Sequence, residues 1–335
     1  MIRRFRQWLQ PSAREIEDES NALNPSTMVD IHQLIGLQRY AGKLDLTRKQ
    51  PAHARIAGNH YSRFRGRGMD YQESRVYQPG DDIRNMDWRV TARAGKPHTK
   101  VYQEERERPI ILFIDVGSNM FFATQGALKS VIAAQTAVLL GWAAAAHGDR
   151  IGAFLFNGEH HELRPKTGKR GVLQLIHSLV NHSNPVQGMK TVRHKDSLNQ
   201  ALERLQRIAR PGSMIFMISD FTGIDQHTAD HLLRLHQHNN MAAMHIYDPL
   251  ELTPPPPGRY AITDGDTTGV LDTRSQKDAY QRYFKQQENT LHSVMRQCSL
   301  PLYRIATNDN VPAIIQSVFG MPHRSHARTA RQGVA

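Results

Sequence analysis

The chain has 335 residues, of which 39% are apolar, so it is long enough for one large domain with appendages or for two modest domains. Its 43 basic and 31 acidic residues leave a formal net charge of +12, which favours acidic partners such as nucleic acid, anionic lipid or an acidic protein face. The single cysteine, Cys298, excludes an internal disulfide and a cysteine-based structural zinc site.

The sequence predicts neither membrane insertion nor secretion. Its most apolar stretch, Ala133–Ala146, contains Gln135 and falls short of the roughly 18 to 20 uninterrupted apolar residues of a membrane-spanning helix. The first residues are positively charged but lack the apolar core of a signal peptide. We therefore expect a cytoplasmic protein.

The amino-terminal third is expected to contain two segments. Residues 1–60 are predicted to form a helical arm and linker. Within the arm, Thr27–Leu46 is predicted to be helical, and its apolar face is formed by Leu34, Ile35, Leu37 and Leu44. Residues 61–108, here called the signature segment, are rich in Gly, Arg and Asp and show no helical periodicity, although Thr99–Glu105 alternates like a strand.

Residues 109–320 show a regular alternation of short apolar runs and amphipathic stretches. The runs predict buried strands, His161–Pro165 predicts a short edge strand, and Gln125–Ala146 predicts a long helix. This pattern indicates an α/β domain with a mostly parallel sheet and helices on both faces. Residues 321–335 are basic, small and polar, and predict a disordered tail.

Three of the predicted strands end in an aspartate, namely Asp115, Asp220 and Asp248. Because the carboxyl ends of parallel strands meet at one edge of a sheet, we expect these three side chains to lie along the same rim. Ligands of open α/β sheets bind beyond this edge. The rim is therefore a candidate binding site.

The signature segment combines arginines, aspartates and aromatic residues around the turn pair Pro79-Gly80. The candidate interaction residues in it are Arg75, Tyr77, Asp81, Asp82, Arg84, Asp87, Trp88 and Arg93. One interpretation is an internal network of arginine–carboxylate bonds, with Trp88 and Tyr77 as buried anchors. The other is a docking surface for a partner, because arginine and aromatic residues also dominate interface hot spots.

The run from Arg75 to Arg93 resembles the signature of the bacterial and archaeal family catalogued as domain of unknown function 58. Several separated motifs match the same family in order, and they are Gly66-Arg67-Gly68, Asp115, Ser219-Asp220-Phe221 and Asp248-Pro249-Leu250-Glu251. The resemblance extends from about Leu23 to Phe319. It implies a von Willebrand factor A-like, Rossmann-like fold in residues 109–320, and a role beside AAA-type ATPases of the MoxR kind.

Von Willebrand factor A domains usually hold a divalent cation in a metal-ion-dependent adhesion site. The resemblance places Asp115, Asn119, Asp196 and Asp220 as candidate Mg²⁺ ligands, with Thr191 or Ser197 as alternatives to Asp196. Gly117 departs from the motif because it removes a hydroxyl ligand. A degenerate adhesion site is therefore expected. The alternative is structural, with Asp115 and Asp220 accepting hydrogen bonds from loop amides, and with Ser118 or Asn119 capping a helix.

Together these features predict a non-enzymatic protein-binding module that cooperates with a MoxR-type AAA ATPase in the assembly or activation of other protein complexes. Two alternatives stay open. One is a metal-dependent phosphoester hydrolase that uses Asp115 and Asp220, although no general base or second metal cluster is evident. The other is a protein that binds nucleic acid through its positive charge alone, since the sequence has no RNA-binding aromatic signature and no zinc-finger spacing.

Overall fold

The computed structural model describes residues 26–46, 69–104, 109–188, 196–263 and 268–321. Contacts divide the chain into two compact units: the larger joins Met1–Gln50 to Arg108–Ala335, and the smaller is Pro51–Glu107. The sequence predicted an arm (1–60) separate from the α/β domain (109–320), whereas the arm's described part belongs to the larger unit. The predicted tail lies, from residue 322 onward, outside the described residues.

The arm contains two short helices, α1 (Ile31–Gly36) and α2 (Gln38–Ala41), where the sequence predicted one long helix. Asp30 begins α1 by accepting hydrogen bonds from the amides of His32 and Gln33. Leu37, between the two helices, keeps right-handed helical backbone angles (φ −64°, ψ −18°), so a single turn residue separates α1 from α2. The single predicted helix over Thr27–Leu46 is therefore wrong in extent.

The arm joins the larger unit through its leucines. Leu34, Leu37 and Leu44 are buried in the core, whereas Ile35 is 39% exposed and does not belong to the apolar face. The indole nitrogen of Trp142 donates to the carbonyl of Leu34 at 3.2 Å, which fixes the arm against a core helix. This burial explains why the arm groups with the α/β unit.

The smaller unit contains an antiparallel pair of strands, β1 (Met69–Val76) and β2 (His98–Glu104), connected through a 3₁₀ turn and helix α3 (Trp88–Ala94). Strand β2 confirms the strand predicted at Thr99–Glu105 up to Glu104, and Glu105 lies outside the described residues. The sequence did not predict α3, which has seven residues and is too short to show a period. It begins at Asp87 and ends at Gly95, whose positive φ of 66° suits glycine.

The larger unit is built on a six-stranded sheet. Its strands are β3 (Pro109–Asp115), β4 (Arg150–Phe156), β5 (His160–Thr167), β6 (Met214–Ser219) and β7 (Asn240–Tyr247), followed by β10 (Leu302–Ala306). The spatial order is β10-β7-β6-β3-β4-β5, and all neighbours are parallel except the edge strand β5, which runs antiparallel to β4. Two further strands, β8 (Arg259–Thr263) and β9 (Thr268–Asp272), form a separate hairpin. The predicted mostly parallel sheet is confirmed.

Helices cover both faces of this sheet. They are α4 (Lys129–Ala146), α5 (Gly168–His182), α6 (Pro185–Gly188), α7 (Ser197–Ile208), α8 (Gln226–His236), α9 (Pro249–Leu252), α10 (Lys277–Gln297) and α11 (Val311–Phe319). Alternate residues of β3 point into two cores. Leu112 belongs to the core cluster that contains residues of α4, α5, α11 and the arm, whereas Phe113 belongs to the cluster that contains residues of α7, α8 and α10.

Helix α4 is the central helix of the larger unit. By length and composition alone its 18 residues, with a mean hydropathy of 1.3, could cross a membrane. In the structure 83% of that stretch is buried, as in the core helix of a folded domain. The helix begins at Lys129 rather than at the predicted Gln125, and this shorter start positions Lys129 at the end of the sheet.

Candidate functional site

The carboxyl ends of the parallel strands meet at one edge of the sheet, as predicted. Asp115 ends β3, Asp220 follows β6, Asp248 follows β7 and Thr307 follows β10. Loop and helix residues from elsewhere in the chain join them. We call this set the strand-end rim, and it comprises Asp115, Thr124, Lys129, Ser219, Asp220, Asp248, Glu251 and Thr307.

Asp115 binds together the loops that follow β3 and β6. Its side chain accepts a hydrogen bond from the amide of Gly117 at 2.9 Å and another from the hydroxyl of Ser219 at 2.7 Å. The Ser219 hydroxyl in turn accepts from the amide of Phe221 at 2.9 Å. Asp115 is 1% exposed, so these bonds compensate a carboxylate removed from water.

Asp248 holds three loops together at the other side of the rim. It accepts from the Thr124 amide at 2.8 Å, the Leu250 amide at 2.9 Å and the Thr307 hydroxyl at 2.8 Å. Burial would raise the pKa of Asp248, but the hydrogen bonds to Thr124, Leu250 and Thr307 outweigh it and hold the pKa below its ordinary value. Asp248 is therefore an ionised structural acid.

Between these acids lies Lys129, the first residue of α4, which is 2% exposed. Its ammonium group is 3.6 Å from a carboxylate oxygen of Asp220 and forms a hydrogen-bonded ion pair with Glu251. Burial alone would lower the pKa of Lys129, but the charges of Asp220 and Glu251 outweigh it and raise the pKa above its ordinary value. The lysine is therefore charged.

A cleft of about 80 Å³ opens beside the rim, between the ends of β6, β7 and β10 and helices α9 and α10. Among the residues that line it, Arg304 has its guanidinium 4.5 Å from the ring centre of Tyr247 and donates to Glu288 at 2.7 Å. His245 is part-buried next to them, and burial, with a further contribution from the charge of Arg304, lowers its pKa to about 3. Tyr283 is 55% exposed at the mouth of the cleft.

The candidate metal ligands are distributed as follows. Asp115 and Asp220 follow adjacent strands, and Asn119 is part-exposed in a 3₁₀ turn at Ser118–Met120. Asp196 is exposed before α7, where its side chain makes no capping hydrogen bond. Thr191 lies outside the described residues. Across the described ranges, no three or more His, Cys, Asp or Glu side chains converge as a group that could hold a metal ion.

The structural interpretation of Asp115 and Asp220 agrees with their contacts. Asp115 accepts a hydrogen bond from the amide of Gly117, and Asp220 accepts one from the amide of Thr222, each at 2.9 Å. The proposed helix capping is not seen, because Leu128 precedes α4 and no side chain makes a capping bond there. Sequence reasoning placed Asp248 at the rim and Glu251 within a motif, but it missed Lys129 altogether.

In the signature segment, the aspartates mostly cap local turns. Asp81 pairs with Arg75 at 2.7 Å, and Asp82 accepts from the Arg84 amide at 3.0 Å. Asp87 begins α3 by accepting from the Val90 amide at 3.1 Å, and its other oxygen accepts from the Ser74 hydroxyl at 2.7 Å. The Ser74 bond, followed by that of Val90, holds the pKa of Asp87 below its ordinary value.

The two aromatic residues of this segment that were predicted to be buried anchors differ in exposure. Trp88 is 67% exposed, so the prediction that it is a buried anchor is wrong, while Tyr77 is part-buried. Trp88 lies at the first position of the seven-residue helix α3, and no residue of that helix is buried. Arg84 and Arg93 are also exposed.

These features define a mixed α/β protein with a mostly parallel central sheet and a rim of buried acids. The chain belongs to the family described as "Protein of unknown function DUF58", which matches residues 73–293. Uncharacterized proteins of Mycobacterium bovis and Mycobacterium tuberculosis are each 27% identical to it over 269 residues, 79% of this chain and 83% of theirs.

Two solved structures are similar to parts of the chain. An aerotolerance-related membrane protein from Bacteroides fragilis is 12% identical, with a TM-score of 0.42 over 63% of this chain and 96% of its own. The conserved hypothetical protein BatB from Bacteroides thetaiotaomicron is 13% identical, with a TM-score of 0.40 over 63% of this chain and 97% of its own. Both similarities are remote.

Proposed function

We propose that this protein is a non-enzymatic binding module that acts in the cytoplasm with a MoxR-type AAA ATPase, in the assembly or activation of other protein complexes. We propose further that its sheet is von Willebrand factor A-like. The family resemblance supports both statements. The observation that carries the binding role is the strand-end rim, where buried acids are held by hydroxyls, amides and Lys129.

A catalytic carboxylate must reach a substrate, either directly or through one water. Asp115 is 1% exposed, and both of its oxygens accept hydrogen bonds from Gly117 and Ser219. Asp248 is equally inaccessible, and its hydrogen bonds tie together the loops at Thr124 and Thr307. Such acids fix the shape of a surface and favour recognition over turnover.

The exposed groups of the signature segment are chemically suited to a partner. Val76, Ile83 and Trp88 are each more than half exposed, and Arg84 and Arg93 add positive charge. Tryptophan and arginine are the residues that most often dominate interface energies. Together with the net charge of +12, they favour a partner face that is acidic and contains an apolar pocket.

The test is a pull-down of a purified MoxR-type ATPase on the immobilised full chain, with a non-hydrolysable ATP analogue present. We expect retention of the ATPase, and we expect Trp88→Ala to weaken it by about tenfold or more. Val270→Ala is the matched control, because Val270 is 55% exposed on the β8–β9 hairpin. No retention in any nucleotide state would contradict the proposal.

Two other results would replace it with one of the alternatives. Turnover of a phosphoester that is abolished by Asp115→Ala would establish hydrolysis. DNA binding that weakens steeply with salt, unaffected by Trp88→Ala, would establish charge-driven nucleic-acid binding.

A further inference from the structure

The residues of the rim do not fit the divalent cation that a von Willebrand factor A-like sheet implies. Both oxygens of Asp115 accept hydrogen bonds from protein donors, and Gly117 offers no side-chain ligand. Asp196 is exposed at the start of α7. Asp220 faces an ammonium group, since its carboxylate lies 3.6 Å from the amine nitrogen of Lys129.

The position of Lys129 is itself informative. A cation at the first position of an 18-residue helix opposes the helix dipole, whose positive end lies at the amino terminus. Lys129 is also 2% exposed, so its charge has lost nearly all contact with water. Neither helix formation nor solvation favours a lysine there. Its charge must therefore be stabilised by the groups that surround it.

Those groups are two carboxylates and one aromatic ring. Asp220 and Glu251 pair with the ammonium, and it lies 5.9 Å from the ring centre of Phe122. Glu251 is itself fixed, because its second oxygen accepts from the amide of Asp248 at 3.1 Å. The lysine thus connects helix α4 to the loop that follows β6 and to helix α9, which follows β7.

We infer that the ammonium group of Lys129 is the resident cation of the strand-end rim, and that it pairs with Asp220 and Glu251 at the edge where von Willebrand factor A domains hold a divalent metal ion. A tethered cation cannot dissociate, so the rim keeps one arrangement whatever the Mg²⁺ concentration. A buried ammonium also cannot reach a partner's carboxylate. The inference is independent of the proposed ATPase partner, since its test measures only cation binding and stability.

The test compares the melting temperatures of the full-length protein and its variants with and without MgCl₂ or MnCl₂. We expect no shift for the wild type and none for Lys129→Arg, which keeps the charge. In Lys129→Met, Asp220 and Glu251 lose the ammonium group that pairs with them. We expect Mn²⁺ to bind these two carboxylates and to raise the melting temperature by about 5 °C. Adding Asp220→Asn to Lys129→Met should abolish that rise.

Two results would overturn the inference. One is a wild-type protein that binds Mg²⁺ or Mn²⁺ by calorimetry and loses that binding in Asp220→Asn. The other is a folded Lys129→Met variant with wild-type stability and no response to Mn²⁺. Should Lys129→Met not fold, Lys129→Met/Glu251→Gln removes one uncompensated carboxylate and should restore a cooperative melt. A double variant that also fails to fold would contradict the role of Lys129 as a counterion.

Discussion

The strand-end rim and the signature segment are both rich in aspartate, yet their aspartates have different surroundings. At the rim, Asp115 and Asp248 are almost inaccessible, and each binds groups from distant parts of the chain. In the signature segment, Asp81 and Asp82 bind groups within six residues of themselves, in exposed or part-buried turns. Burial and long-range bonding make the rim acids part of the fold, whereas Asp81 and Asp82 of the signature segment shape only local turns.

This difference predicts where substitutions destabilise the protein. A buried charge that loses its partner costs several kcal/mol, whereas an exposed cap costs about 1 kcal/mol. Substitutions at the rim should therefore lower the stability of the larger unit. Substitutions in the signature segment should leave that stability unchanged and affect local order or partner binding.

The largest effect is expected from Lys129→Met. Removing the ammonium leaves the buried Asp220 and the part-buried Glu251 without their counterion, and we expect a loss of about 3–5 kcal/mol in the free energy of unfolding. Urea denaturation of the wild type and the variant measures it. Lys169→Met is the matched control, because Lys169 lies exposed in the first turn of α5 and should change stability by less than about 0.5 kcal/mol. Equal effects in the two variants would contradict the assigned role.

Asp248→Ala is expected to have the next largest effect. It leaves the donors of Thr124, Leu250 and Thr307 without their acceptor, which should cost about 3 kcal/mol in the free energy of unfolding. Asp196→Ala is its control, because Asp196 is exposed and makes no capping bond. Urea denaturation again decides, and a loss below about 0.5 kcal/mol in Asp248→Ala would show that the three loops do not depend on it.

Acidic pH should weaken the larger unit through His245. Its folded pKa of about 3 lies below the ordinary 6.5, so the unfolded chain takes up the proton first. Above pH 6.5 the neutral His245 therefore contributes fully to the free energy of unfolding. As the pH falls toward 3, this contribution is lost by up to about 1.4 kcal/mol per pH unit. Denaturation between pH 6.5 and 4 should show a shallower slope for His245→Gln than for His227→Gln, which replaces an exposed histidine. Identical slopes would contradict this assignment.

A smaller, local effect is expected from Asp87→Ala. The variant removes the acceptor for the Val90 amide and the Ser74 hydroxyl, so the first turn of α3 loses its cap. The amides of α3 should then exchange hydrogen about fivefold faster, with α4 unchanged as the internal control. Unaltered exchange in α3 would mean that the cap does not limit its opening.

The strands of the sheet could be predicted because each strand is recognisable from its own consecutive residues. Buried parallel strands are continuous apolar runs, and those ending at Asp115 and Asp220 identify both the strand and its carboxyl end. Helix α3 was not predictable, because seven residues carry too little periodicity and its cap depends on Asp87 accepting from Ser74, thirteen residues away.

Lys129 was missed for a different reason. Its partner Glu251 is 122 residues away, and only the folded sheet brings β7 and the start of α4 together. A signal was nevertheless present, since a lysine that opens an otherwise apolar helix opposes the helix dipole. Trp88 illustrates the opposite error, because the sequence predicted a buried tryptophan whereas its side chain is 67% exposed.

The smallest change in stability is expected from Trp88→Ala. Trp88 is 67% exposed, so its removal should change the free energy of unfolding by less than about 0.5 kcal/mol. Trp142 provides the comparison, because it is 3% exposed, donates to the carbonyl of Leu34 and should cost about 3–5 kcal/mol when truncated. Acrylamide should quench the fluorescence of Trp88 and not that of Trp142. If Trp88→Ala instead destabilises the protein as much as Trp142→Ala, Trp88 is a packed anchor and the signature segment braces the fold rather than presenting a docking surface.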